Sequence, residues 1–282
     1  MFTLAIENAK GNRLRLTQNP NYSLVSVDGL NPVKANINTA VNANFDGSTF
    51  KSSRLQNRNI VIMLAVEGAI ETNRIELYKF IKTKEEVTVY VSNGTRDVYI
   101  KGRVEDMQIG IFAQKQMVQI SIICPNPYFA NVDENHEDFS VVNGLFEFPF
   151  DIAEEGVPFG EIVVDAEVNI QNRGDVNTGM IVEFKAIGTV VNPAIYNTGT
   201  GKFMKLNVTM SDGDVIQINT NKGQKGVLEI SGGTVSNILN KLDPTSTWLD
   251  LETGDNTMMF TATSGEINLQ CTLYHDFMYE GL

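Results

Sequence analysis

The chain has one tryptophan, two cysteines, two histidines and eight prolines in 282 residues. Cys124 and Cys271 lie far apart, each among apolar neighbours, so the sequence predicts buried free thiols and no disulfide framework. His136 and His275 are scattered, and neither a C-x-x-C nor an H-x-x-x-H pattern occurs, which removes the usual zinc sites. No run reaches the ~20 apolar residues of a membrane-spanning helix. The opening Met1-Phe2-Thr3-Leu4-Ala5-Ile6-Glu7 lacks the basic start and long apolar stretch of a secretory signal. A phosphate loop of the form G-x-x-x-x-G-K-[ST] is absent, as is a G-x-S-x-G elbow. A net charge of −12 argues against nucleic acid as a general partner. The expectation is a protein with no catalytic site, no cofactor, no metal, no membrane partner and no specific nucleic acid.

What is present is an ordinary globular composition, 42% hydrophobic and 20% charged, divided by a sharp break. The break is Cys124-Pro125-Asn126-Pro127-Tyr128-Phe129-Ala130. Its two prolines remove backbone donors and fix φ, so a strand arriving at Cys124 cannot continue through them. Residues 1–130 hold 15 basic and 11 acidic side chains, a charge of +4; residues 131–282 hold 7 and 23, a charge of −16. Two domains follow, 1–130 and 131–282. Like charge should keep the second domains of neighbouring copies apart, as outward arms with few contacts between them.

The first domain reads as a sheet or barrel with one helix. Alternating segments such as Tyr22 to Val27 and the β-branched run Asn59 to Glu67 predict strands, and Ser92-Asn93-Gly94-Thr95 predicts a hairpin turn. Helical spacing of Ile70, Leu77 and Ile81 predicts a helix over 70–82, with Thr72 or Asn73 capping its first turn. The second domain reads as all β, with at least seven strands punctuated by glycines, a sandwich or jelly roll. A short helix is expected from Ser236 to Leu242, stopped by Asp243-Pro244.

Candidate chemistry is sparse. Glu154-Glu155 beside Gly156 suits a solvated loop better than an acid/base pair, because adjacent residues on a strand face opposite ways. Asp212-Gly213-Asp214 has part of a calcium loop without the remaining ligands, and a tight turn is the simpler reading. Trp248, in Ser246-Thr247-Trp248-Leu249-Asp250-Leu251, would stack on a sugar if exposed. Otherwise its ring closes one end of the core in an irregular connection that buries Trp248, Leu249 and Leu251 together.

Three features together resemble the distal tail proteins of long-tailed bacteriophages, across nearly the whole chain. They are the Cys-Pro-Asn-Pro-Tyr-Phe break, then Leu77-Tyr78-Lys79-Phe80 followed by Val98-Tyr99-Ile100-Lys101-Gly102-Arg103-Val104-Glu105, and the closing segments. The last comprise Ile216 to Thr220, Ser246 to Leu251, Gly254-Asp255-Asn256, Leu273-Tyr274-His275 and Tyr279-Glu280-Gly281-Leu282. The resemblance implies a ring-forming first domain and a galectin-like β-sandwich in the second. It also implies a hexameric ring joining the tail-tube protein to the tail-tip protein and carrying receptor-binding or baseplate proteins. The setting it implies is the virion tail, assembled in the host cytoplasm. The alternative is a carbohydrate-binding module contacting the host surface through Trp248 and nearby acids. Within the first domain, Asn31 to Asn44 carries only one charge, Lys34. It is too polar for a core and too uncharged for a solvated face, so a loop or edge strand set against a neighbouring subunit is expected, through Asn36, Ile37, Asn38, Thr39 and Val41.

Overall fold

Alternation of apolar and polar residues produces strands along most of this chain. The computed structural model describes residues 1–41, 43, 44, 46–133, 135–143, 161–164 and 167–282. Glu154-Glu155 lies outside the described residues. Two compact units result: Met1–Val132 together with Met278–Leu282, and Asp133–Phe277.

The first unit begins with β1 (Thr3–Asn8), β2 (Arg13–Arg15), β3 (Tyr22–Asp28), β4 (Ala35–Val41), β5 (Ser48–Leu55) and β6 (Arg58–Val66). The helix α1 (Ile70–Phe80) follows, then β7 (Glu86–Ser92), β8 (Asp97–Ile109), β9 (Met117–Cys124) and β10 (Phe129–Asn131). The main sheet runs β2-β1-β7-β8-β9-β6-β3. Each neighbouring pair is antiparallel. Period-two burial is clearest in β7, where Val87, Val89 and Val91 turn inward between exposed or half-exposed neighbours. They meet Ile60, Ile62 and Leu64 of β6 and Val118, Ile120 and Ile122 of β9 in one core, which Leu77 and Ile81 cover.

The helix lacks the expected side-chain cap. Ala69 stands at the cap position, and Asn73 instead sends its Nδ2 back to the Glu67 carbonyl at 2.7 Å. That bond satisfies the preceding turn, which is why a capping residue lies one turn late in the sequence.

The second unit contains β11 (Asn135–Asp138), β12 (Ser140–Asn143), β13 (Glu161–Val164), β14 (Glu167–Asn172), β15 (Met180–Ala186) and β16 (Val190–Asn197). It continues with β17 (Lys202–Lys205), β18 (Thr209–Met210), β19 (Val215–Asn219), β20 (Gly226–Ser231), β21 (Thr234–Asn237), β22 (Gly254–Ser264) and β23 (Leu269–His275). One sheet runs β11-β23-β15-β19-β20-β21, and a second runs β14-β22-β16-β17 with β18 beside β16. Val182, Phe184, Ile216, Ile218 and Leu273 from the first share a core with Ile170, Ile195, Met204, Met258 and Phe260 from the second. That is a two-sheet sandwich. The helix expected from Ser236 to Leu242 does not form. Thr234–Asn237 extends the sheet by pairing with Leu228–Ser231, and only a 3-10 turn, Leu239–Lys241, remains. Ladder bonds to β20 outweigh local helical preference here.

The second domain was expected to run from 131 to 282, but the chain leaves it at Phe277. Strand β24 (Met278–Tyr279) pairs with β10 of the first unit, Phe129 opposite Tyr279 and Ala130 opposite Met278.

Candidate assembly surface

A hairpin that belongs to no core stands out in the first unit. Among the described residues, β4 and β5 pair only with each other, forming a separate two-stranded sheet. Its apolar side chains are turned to solvent: Ile37 is 64% exposed, Val41 85% and Phe50 61%. Cross-strand polar contacts hold the two strands together. Asn38 Nδ2 donates to Ser52 Oγ at 3.0 Å, and Gln56 Nε2 donates to Asn36 Oδ1 at 2.6 Å. Between Asn38 and Thr39 the register shifts, a bulge that sharpens the local twist. An isolated two-stranded hairpin is marginal in water, so exposed Ile, Val and Phe on one call for a covering surface.

The root of this hairpin is held rigidly. Arg58, 1% exposed, donates from Nε to the Pro127 carbonyl at 2.7 Å, and from Nη1 to the carbonyls of Gly29 and Asn31, the latter at 2.7 Å. Its Nη2 reaches the Glu280 carbonyl at 2.6 Å, and the guanidinium lies 4.4 Å from the Phe129 ring centroid. A planar donor fork suits this task because it can satisfy several carbonyls at fixed angles. Gly29 adopts φ +89, and a Cβ there would sit 2.1 Å from the Asn59 carbonyl oxygen. Only glycine fits that turn. Sequence reasoning missed Arg58; the signal was a lone cation entering the β-branched run that begins at Asn59.

Of the sequence-predicted residues, Asn36, Ile37, Asn38, Thr39 and Val41 all fall on β4, where Asn36 is half-buried and the other four are exposed. Trp248 is not with them. It lies in the second unit, half-buried against that core, with Lys225 Nζ 5.2 Å from its ring centroid. The connection is irregular, as expected, but only Leu249 and Leu251 are fully buried.

The other candidates hold no constellation. Asp214 Oδ2 accepts from the Ser211 backbone N–H at 2.7 Å, with Gly213 at φ +86, a closed turn. Among the described residues no group of three or more His, Cys, Asp or Glu side chains could hold a metal ion. Both cysteines are free and buried, and burial pushes the Cys124 thiol up to about 11. Burial raises Cys271 further still. No helix among the described residues is long and apolar enough to cross a membrane.

Residues 173–279 match the family model for the siphovirus-type tail component, C-terminal domain. Most of the second unit thus resembles a siphovirus-type tail component C-terminal domain. The whole chain has the fold of the SPP1 Dit protein, described as a paradigm of hub adsorption apparatus in phages infecting Gram-positive hosts. The two share 15% identity over 99% of each chain, with a TM-score of 0.69. It is also similar to a chain of the phage P2 baseplate in its activated conformation with Ca, at 12% identity, 100% of each chain and a TM-score of 0.56. The same baseplate with Sr matches at 12% identity, 98% of each chain and a TM-score of 0.55. No curated protein matches the sequence.

Proposed function

We propose that this chain is a phage tail component, a structural hub whose first unit closes into a hexameric ring through the β4–β5 hairpin. The ring joins the tail tube to the tail-tip protein and supports receptor-binding or baseplate proteins, in the virion tail after assembly in the host cytoplasm. No catalysis is assigned to it. One observation carries the reading: an anchored hairpin whose Ile37, Val41 and Phe50 face solvent outside either core. A ring of more than two copies uses heterologous contacts, one patch meeting a different patch of the next copy, and such contacts either close or grow into filaments. The acidic second units, like-charged, then remain apart from one another as arms, because within a Debye length of roughly 8 Å their charges repel. The test is the mass of the full chain in solution across a range of concentrations. A discrete multiple of the 31.2 kDa chain supports the proposal; a monomer at every concentration rejects it.

A further inference from the structure

Resting on that ring reading, we infer which surface of the next copy receives the hairpin: the exposed edge of β3. The hairpin has two edges of unequal character. β5 carries Lys51 and Arg54, and charge on an edge strand discourages pairing. β4 is Ala-Asn-Ile-Asn-Thr-Ala-Val, seven residues without a charge or a proline, and it pairs on one side only, with β5. The β4 edge is therefore the one left open to another strand.

Among the described residues, the nine-stranded sheet of the first unit has three strands paired on one side only: β2, β3 and β24, the last just two residues long and so too short to receive β4. β2 is three residues long and carries Arg13 and Arg15, like in charge to Lys51 and Arg54 of an incoming hairpin. β3 is seven residues long, matching β4, and pairs on one side only, with β6. Its single charge is Asp28, opposite in sign to the hairpin. Val25 marks the bulge in β3 and is 53% exposed, an apolar side chain on an edge that already needs a cover. Length, charge and exposed apolar surface select the same mate. β4 of one copy then extends the sheet of the next through β3, and the contact is heterologous, as a ring requires.

The buried native cysteines leave engineered surface thiols as the only reactive ones, so crosslinking between full-length chains tests the pairing. Ile37→Cys and Val25→Cys chains are made separately, mixed, and treated with a short bis-maleimide, with mass measured on the same samples. The expected result is a crosslinked dimer in the mixture at least about tenfold above either variant alone. Crosslinking of Ile37→Cys with itself would mean hairpin-to-hairpin pairing and overturn the β3 assignment. An intact oligomer with no crosslink in the mixture would overturn the assignment while leaving the ring reading in place. A monomer throughout would overturn both. As a second variant, Val25→Lys puts a charge on the β3 edge at an exposed position. It should abolish the oligomer without shifting the melting temperature of the monomer, and a full-sized oligomer from it would count against the inference.

Discussion

Arg58 and Glu280, 222 residues apart in sequence, are joined by a 2.6 Å hydrogen bond from guanidinium to backbone carbonyl. Through this bond the last residues of the chain become part of the first unit. The same side chain holds Gly29 and Asn31, just ahead of β4, so the tail and the hairpin root share one anchor. Arg96 reinforces it, donating to the Gly281 carbonyl at 2.6 Å with its guanidinium 4.3 Å from the Tyr279 ring centroid.

Replacing that anchor should be costly. Arg58→Met removes a buried cation and leaves several carbonyls without donors; a hydrogen bond to a charged group is worth about 1.5–3 kcal/mol. The loss is expected to exceed about 3 kcal/mol in the first unit, with oligomer yield falling as the hairpin root loosens. Hydrogen exchange of β3 and β6, compared with the parent, checks this; unchanged protection would show the anchor to be dispensable.

Gly281 gives a gentler probe of the tail. A Cβ there would lie 2.9 Å from Pro32 Cδ and 3.1 Å from the Leu30 carbonyl oxygen. Gly281→Val should displace the tail, weaken the Leu282 N–H to Leu30 bond, and lower first-unit stability by about 1–3 kcal/mol. The second unit should be unaffected. Trp248, the sole tryptophan, reports that unit separately by fluorescence.

Much of the fold was legible because it rests on local pattern. The run Asn59 to Glu67 became β6, the turn at Ser92 to Thr95 became the β7–β8 connection, and the helix ends two residues earlier than expected and lacks the expected side-chain cap. What escaped was set by contacts distant in sequence. The tail's return depends on Arg58 and on pairing with β10, and neither leaves a periodic trace. Ser236 and Asn237 were drawn into a strand by β20. The uncharged stretch around Asn36 to Val41 was legible as a loop or edge strand because it fits neither a core nor a solvated face, and it forms β4; its partner β5 was not, since Ser48–Leu55 shows no apolar alternation.

Trp248 separates a packing role from a glycan-binding one. Its half-buried ring packs against the second core. Truncating a fully buried Trp costs ~3–5 kcal/mol, so Trp248→Ala should cost about 2 kcal/mol here. The melting temperature of the second unit should fall by several degrees, with host-cell adhesion of the assembled tail retained. A variant as stable as the parent that loses adhesion would make Trp248 a contact residue.

His275 is expected to make the second unit acid-sensitive. The residue is 6% exposed, neither ring nitrogen has a hydrogen-bond partner among the described residues, and burial holds the imidazole below its ordinary range. An unfolded histidine titrates near ~6.5, so below that pH the unfolded state takes up a proton that the folded state resists. Stability should be flat in this term above about pH 6.5 and fall as pH drops below it. His275→Phe should remove that part of the fall. Urea midpoints followed by Trp248 fluorescence at neutral and mildly acidic pH check the sign; an identical fall in parent and variant would assign it elsewhere.

The most direct measurement of the central claim is the mass of the full chain beside a chain lacking Asn36 to Ala43, by light scattering at several concentrations. The account expects six copies for the parent at every concentration above dissociation, and a folded monomer for the deletion. An oligomer of unchanged size after the deletion, or a parent that stays monomeric, would contradict it.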